Sequence, residues 1–107
     1  MKQIIHFTKD SSNFEEGTTL QQYIDNSPES FTGSCLFCYL YTEDFPVDFI
    51  MSAWARNSYV IMEVEDDDII ELEQKYPGDD NDEYAEFQDE YIIKIENFSK
   101  VRILNVF

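Results

Sequence analysis

Among 107 residues there are three glycines, three prolines, two cysteines, one histidine and seven basic side chains. Each scarcity removes a class of protein. No strand-like stretch ends in a glycine-rich phosphate turn, so a Rossmann or P-loop nucleotide site has no support. The single Cys-x-x-Cys, Cys35 to Cys38, has no second pair to complete a zinc site. One histidine, His6, would have to serve any Ser-His-Asp or Cys-His centre, and Gly-x-Ser-x-Gly is absent. No apolar run approaches the ~20 residues of a membrane span. The opening MKQIIHFTKD does not read as a signal peptide. A cytosolic protein with reduced thiols is expected.

The scarcity of basic residues matters most. Against 23 acidic side chains they leave a net charge of −16. Such a field repels nucleic acid and anionic membrane, and favours a basic protein or a cation as partner. The chain nevertheless has the means to fold. Apolar residues make up 43% and aromatics 16%, well above a disordered composition. Its length fits one domain with one modest core.

Lys2–Thr8 reads as a first strand. Thr18–Asn26 reads as a short helix capped by Thr18 and Gln21 and stopped by Ser27-Pro28. Gly33–Thr42 is a continuous apolar run, expected to be a central strand buried on both faces. On it Cys35 and Cys38 would face opposite ways, as unpaired structural thiols. Phe45–Asn57 is the clearest helix. Pro46 suits its first turn, Val47, Ile50, Met51 and Trp54 form its apolar stripe, and Arg56 sits near its C-terminal end. Ser58–Glu65 alternates as a strand. Asp66–Tyr76 reads as an acidic helix, and Glu90–Phe107 as a terminal hairpin. The expected class is α+β, a single domain spanning 1–107, in the order β-α-β-α-β-α-β-β around a mixed or largely antiparallel sheet with two or three short helices.

The acidity is concentrated. Between Glu63 and Glu90 there are 14 acidic residues and one base, Lys75, so this segment holds −13 of the −16. Taken as a calcium loop from Asp79, it offers Asn81, Glu83 and Glu90 at ligand positions. The turn position normally held by glycine is Tyr84, however, and position nine is Phe87. No designed metal site is expected. Aromatics interleaved with carboxylates suit protein recognition, with charge steering the encounter and the rings supplying buried area. The residues expected to meet a basic partner are Asp66, Asp67, Asp68, Glu71, Asp79, Asp80, Asp82, Glu83, Tyr84 and Glu86. On this ground the expected function is a small acidic inhibitor, of the immunity or anti-defence type. It would block a basic, nucleic-acid-processing partner and need no cofactor.

A different function is implied by resemblance. IIHFT, the run from FTGSCLFCYLYTEDF through FIMSAW to SYVIMEV, and EFQDEYIIKIENFSKVRILNV together resemble the ADP-ribosyltransferase fold. Gln88 and Glu90 match that family's Gln-x-Glu spacing. The resemblance implies that Glu90 is the catalytic glutamate, that His6 and Thr8 hold NAD, and that Tyr39 or Tyr41 supplies a tyrosine. Gly33-Ser34-Cys35 stands where one subgroup carries Ser-Thr-Ser, and the arginine-type first strand is absent. A non-catalytic relative of the same fold is equally implied.

Overall fold

The computed structural model describes residues 1–26, 33–79 and 81–107. Six strands form one sheet: β1 (Lys2–Thr8), β2 (Cys35–Leu40), β3 (Ser58–Val64), β4 (Glu71–Gln74), β5 (Glu90–Lys94) and β6 (Val101–Val106). Two helices, α1 (Leu20–Asn26) and α2 (Val47–Ala53), complete the α+β domain with several 3-10 turns. The spatial order is β4-β5-β2-β1-β3-β6, and every pairing is antiparallel. No helix among the described residues is long and apolar enough to cross a membrane.

Strand alternation divides the core into two layers. Ile4, Leu36, Cys38, Met62, Val64, Ile93 and Ile103 face one way, where α1 (through Leu20), Phe14, Ile69 and Phe98 cover them. Ile5, Phe7, Tyr39 and Ile61 face the other way, under Phe45 and Ile50 of the α2 segment. Cys35 and Cys38 lie three apart on β2 and are both free thiols; only Cys38 is fully buried.

Several expectations change. Helix α1 begins at Leu20, and its cap is Thr19, whose Oγ1 accepts from the Gln22 N–H at 3.2 Å. The Thr18 hydroxyl donates instead to the Glu15 carbonyl at 2.7 Å. The stop expected at Ser27-Pro28 lies outside the described residues. Trp54 leaves the α2 stripe and is half exposed, because α2 ends at Ala53 and Ala55 takes a positive φ of 53°. The acidic helix is replaced by a 3-10 turn, Asp67–Ile69, followed by β4. A helix would stack Asp67 and Asp68 on Glu71 at repelling i, i+3 and i, i+4 spacings. In the observed turn Asp66 Oδ1 accepts from Asp68 N–H at 3.0 Å, and Glu71 reaches Lys94 at 3.4 Å. The terminal hairpin also fails. β5 pairs with β2 and β4, whereas β6 pairs with β3 across the sheet. The six-residue 3-10 segment Ile95–Lys100 carries the chain between them, anchored by fully buried Phe98.

One irregularity positions the site. β1 pairs with β3 along seven residues but with β2 only at Ile4↔Leu40 and Ile5↔Tyr39. β2 pairs with β5 through Cys35–Cys38. The sheet is thus two three-stranded halves joined by a short overlap. Beyond Ile5 the halves part, and Phe37 on β2 is left 49% exposed, so this strand is not covered on both faces.

Candidate functional site

A cleft opens where β1 and β2 separate. It has a volume of about 230 Å³ and is lined by His6, Phe7, Phe37, Tyr39, Trp54, Arg56 and Glu90. A neighbouring lobe of about 200 Å³ shares Tyr39, Trp54 and Glu90 and adds Gln74, Lys75, Tyr76, Pro77 and Gln88. Each lobe is smaller than the ~300 Å³ at which small-molecule sites begin, and three lining residues are common to both.

Each residue arrives by a local cause. His6 is the first β1 residue past the paired stretch. Its Nδ1 donates to the Phe37 carbonyl at 2.7 Å, a side-chain bond where the backbone ladder has stopped. That bond places the proton on Nδ1 and leaves Nε2 as an acceptor. Burial lowers the His6 pKa; the Phe37 bond opposes this, and the Arg56 charge adds to the lowering. Phe14 packs against the ring with centroids 6.1 Å apart, and the residue as a whole is half-buried.

Tyr39 sits on the α2 side of β2, two residues from Phe37. Burial, reinforced by the Glu90 charge, raises its phenol well above the ordinary range, so it is a neutral hydrogen-bond donor at any physiological pH. Glu90 is the first residue of β5, opposite Gln74 of β4. Burial and then the charge of Glu73 raise its carboxyl pKa.

Arg56 enters through the α2 terminus. The Ala55 turn closes with Arg56 N–H donating to the Met51 carbonyl at 3.0 Å, a left-handed helix ending. The guanidinium then donates Nη1–H to the Trp54 carbonyl at 3.2 Å. Among the described residues it has no carboxylate within ion-pair distance, although Glu90 lines the same lobe. Four guanidinium N–H groups thus remain for other partners.

The structure brings His6, Gln88 and Glu90 to the two lobes, and of the two candidate tyrosines it brings Tyr39. Tyr41 lines neither lobe, although both tyrosine rings pack near Phe45, at 6.2 Å for Tyr39 and 6.0 Å for Tyr41. Thr8 does not join them: its hydroxyl donates to the Asp10 carbonyl at 3.2 Å and accepts from the Asp10 N–H at 3.3 Å, within its own turn. Ser34 and Cys35 line a separate hollow with Ile92 and Lys94. Trp54, Arg56 and Phe37 were not foreseen as site residues. A cation placed just past a helix, in a chain this acidic, was the one available signal.

The acidic residues do not share one face. Asp66, Asp67, Asp68 and Glu71 flank Ile69, which is buried in the α1-side layer, and Asp67 lies 3.7 Å from Lys2. Asp79, Asp82, Glu83, Tyr84 and Glu86 belong to the loop that crosses the α2 side. There Tyr84 meets Phe49 at 4.7 Å and Phe87 meets Phe45 at 5.9 Å. Asp80 lies outside the described residues. Asp82 accepts from the Tyr84 N–H at 3.0 Å and the Tyr76 hydroxyl at 3.2 Å, and Asp79 accepts from the Asn81 N–H at 2.9 Å. No group of three or more His, Cys, Asp or Glu among the described residues is arranged to hold a metal ion.

Comparison with protein-family models, with curated proteins and with solved structures finds no match to this chain.

Proposed function

We propose that the cleft binds NAD as substrate and that the protein is an ADP-ribosyltransferase. The observation that carries this is the convergence of His6, Tyr39 and Glu90, far apart in sequence, on one cleft at the parting of the sheet. The charge layout fits the same substrate. The Glu90 carboxylate and the Arg56 guanidinium line one cavity without an ion pair between them. Such a site favours a ligand with separated charges of opposite sign. NAD carries a cationic nicotinamide at one end and a diphosphate further along.

In this assignment Arg56 holds the diphosphate and the exposed faces of Phe37 and Trp54 take the rings by stacking. The phenol of Tyr39 and Nε2 of His6 orient the ribose hydroxyls, one as donor and the other as acceptor. NAD supplies a glycosidic C–N bond whose nitrogen leaves with the bonding electron pair as neutral nicotinamide. The Glu90 carboxylate faces the positive charge that develops on the sugar carbon, in a partly water-excluded site where such stabilisation is strongest. An acceptor nucleophile, or water, then bonds that carbon and loses its proton to solvent.

The test is nicotinamide release from NAD by the purified protein and by Glu90→Gln, alongside calorimetric NAD binding. The expected result is binding by both and release by the native protein alone. Binding without release by either leaves a non-catalytic relative, and absence of binding at millimolar NAD overturns the proposal.

A second function is favoured by a specific feature, the exposed Phe49 ring packed on half-buried Tyr84, in the loop that carries Asp79, Asp82, Glu83 and Glu86. Here the loop on the α2 side docks a basic protein and blocks it. Reversing Asp79, Asp82 and Glu83 to lysine should slow association with that protein strongly, and added salt should do the same. Unchanged association overturns this second function.

A further inference from the structure

The two edges of the sheet are finished differently. The outer edge of β6 is covered by the chain before α1: Gly17 N–H donates to Ile103 O at 2.8 Å, Ile103 N–H to Thr18 O at 2.8 Å and Val106 N–H to Glu16 Oε1 at 3.1 Å. Thr19 adds a bridge to Arg102. Among the described residues the outer edge of β4 has no such cover. Among the described residues its backbone bonds only to β5, and all four of its side chains are exposed. Leu72 is 48% exposed, flanked by Glu71 and Glu73.

An open edge offers unpaired N–H and C=O groups to any strand, and proteins commonly protect it with charge or a bulge. β4 has both: two glutamates, and a register shift between Leu72 and Gln74. In a chain of net charge −16 these features repel a second copy. They do not repel a strand of opposite charge. We propose that β4 receives an extended segment of a second protein by strand addition, the segment carrying Lys or Arg on either side of an apolar residue. Its backbone pairs with the free β4 edge, its cations meet Glu71 and Glu73, and its apolar side chain covers Leu72.

Position gives this docking a consequence. β4 ends at Gln74, which lies opposite Glu90 and lines the second lobe. A strand on β4 therefore ends beside the cleft. On the ADP-ribosyl transfer proposed above, from which this last step alone follows, the docked segment is the acceptor.

The experiment uses amide hydrogen exchange on the whole protein. The probe is a capped peptide, Arg-Val-Lys-Val-Arg, with two controls: the same peptide N-methylated at alternate residues, and one with Glu replacing Arg and Lys. At a peptide concentration about ten times its Kd, outward β4 amides should exchange about tenfold more slowly. The N-methylated and acidic peptides should give no protection, and Glu73→Lys should weaken the probe. Binding without β4 protection, equal binding by the N-methylated peptide, no binding at millimolar peptide, or β4 protection that rises with protein concentration alone would each overturn the inference. β4 protection without peptide modification in the presence of NAD would overturn only the step that makes the docked segment the acceptor.

Discussion

His6 tests the parted sheet without reference to function. Its imidazole fills the notch where the β1–β2 ladder stops and holds the Phe37 carbonyl at 2.7 Å. Burial, the dominant cause, lowers its pKa from 6.5, and Arg56 adds to the effect. The sign follows from linkage. A base with a lowered folded-state pKa binds fewer protons when folded than when unfolded. Stability is therefore full above the unfolded value of 6.5 and falls as pH drops below it. The ceiling on the slope is about 1.4 kcal/mol per pH unit for one such group. For an unfolded value of 6.5 the His6 contribution to the loss between pH 7.5 and 5.5 is bounded at about 1.4 kcal/mol. Glu90, with its raised pKa, has the opposite sign: it costs stability as pH rises through its titration. The assay is urea unfolding at half-unit steps across that window, for the native protein, His6→Gln and His6→Asn. The amides keep a donor for Phe37 and cannot titrate, so they should lack the loss on the acid side and keep only the opposite slope from Glu90. Native protein and amide variants with the same slope would refute a buried neutral imidazole in the notch.

Three further outcomes are expected. Arg56→Ala should weaken NAD binding about ten- to a hundredfold, the worth of a charged hydrogen bond, with Arg56→Lys in between, as calorimetry would read. The Cys38 thiol is pushed up to about 12, by burial first and the Glu90 charge second. Thiol titration at neutral pH should therefore find at most one reactive cysteine per folded chain, Cys35, and two after denaturation. Phe98→Ala should cost about 3–5 kcal/mol in chemical denaturation, because the fully buried ring anchors the crossing between β5 and β6. Phe49→Ala, on an exposed ring, should cost about 1 kcal/mol or less.

Much of the fold was legible. β1 runs from Lys2 to Thr8 as expected, because its β-branched and aromatic residues alternate between two buried layers. β3, α2 and the α+β class followed from the same kind of periodicity. Asp66–Tyr76 reads as helical because its first-turn aspartates suit the helix dipole. Charge repulsion and the Lys94 partner on β5, neither of them local, decide for a turn and a strand. The terminal hairpin was misread for a related reason: two adjacent strands usually pair, and nothing in Ile95–Lys100 announces that Phe98 will carry the chain across the domain. At the candidate site, the resemblance offers Glu90 through its Gln-x-Glu spacing and leaves Tyr39 and Tyr41 open. Only the fold shows that Tyr39 shares the cleft with Glu90 and that Tyr41 lines neither lobe.

By itself the sequence determined which residues are available and how strongly the chain is charged. It also set which faces of each strand are apolar, since side-chain period is a property of the backbone. Tertiary structure alone decided that the carboxylates divide between two faces of the sheet. It also decided that β1 and β2 part after two residue pairs, and that Arg56 shares the resulting cleft with Glu90. Pairing register and the end of α2 set those placements, and both arise from contacts between residues far apart in the chain.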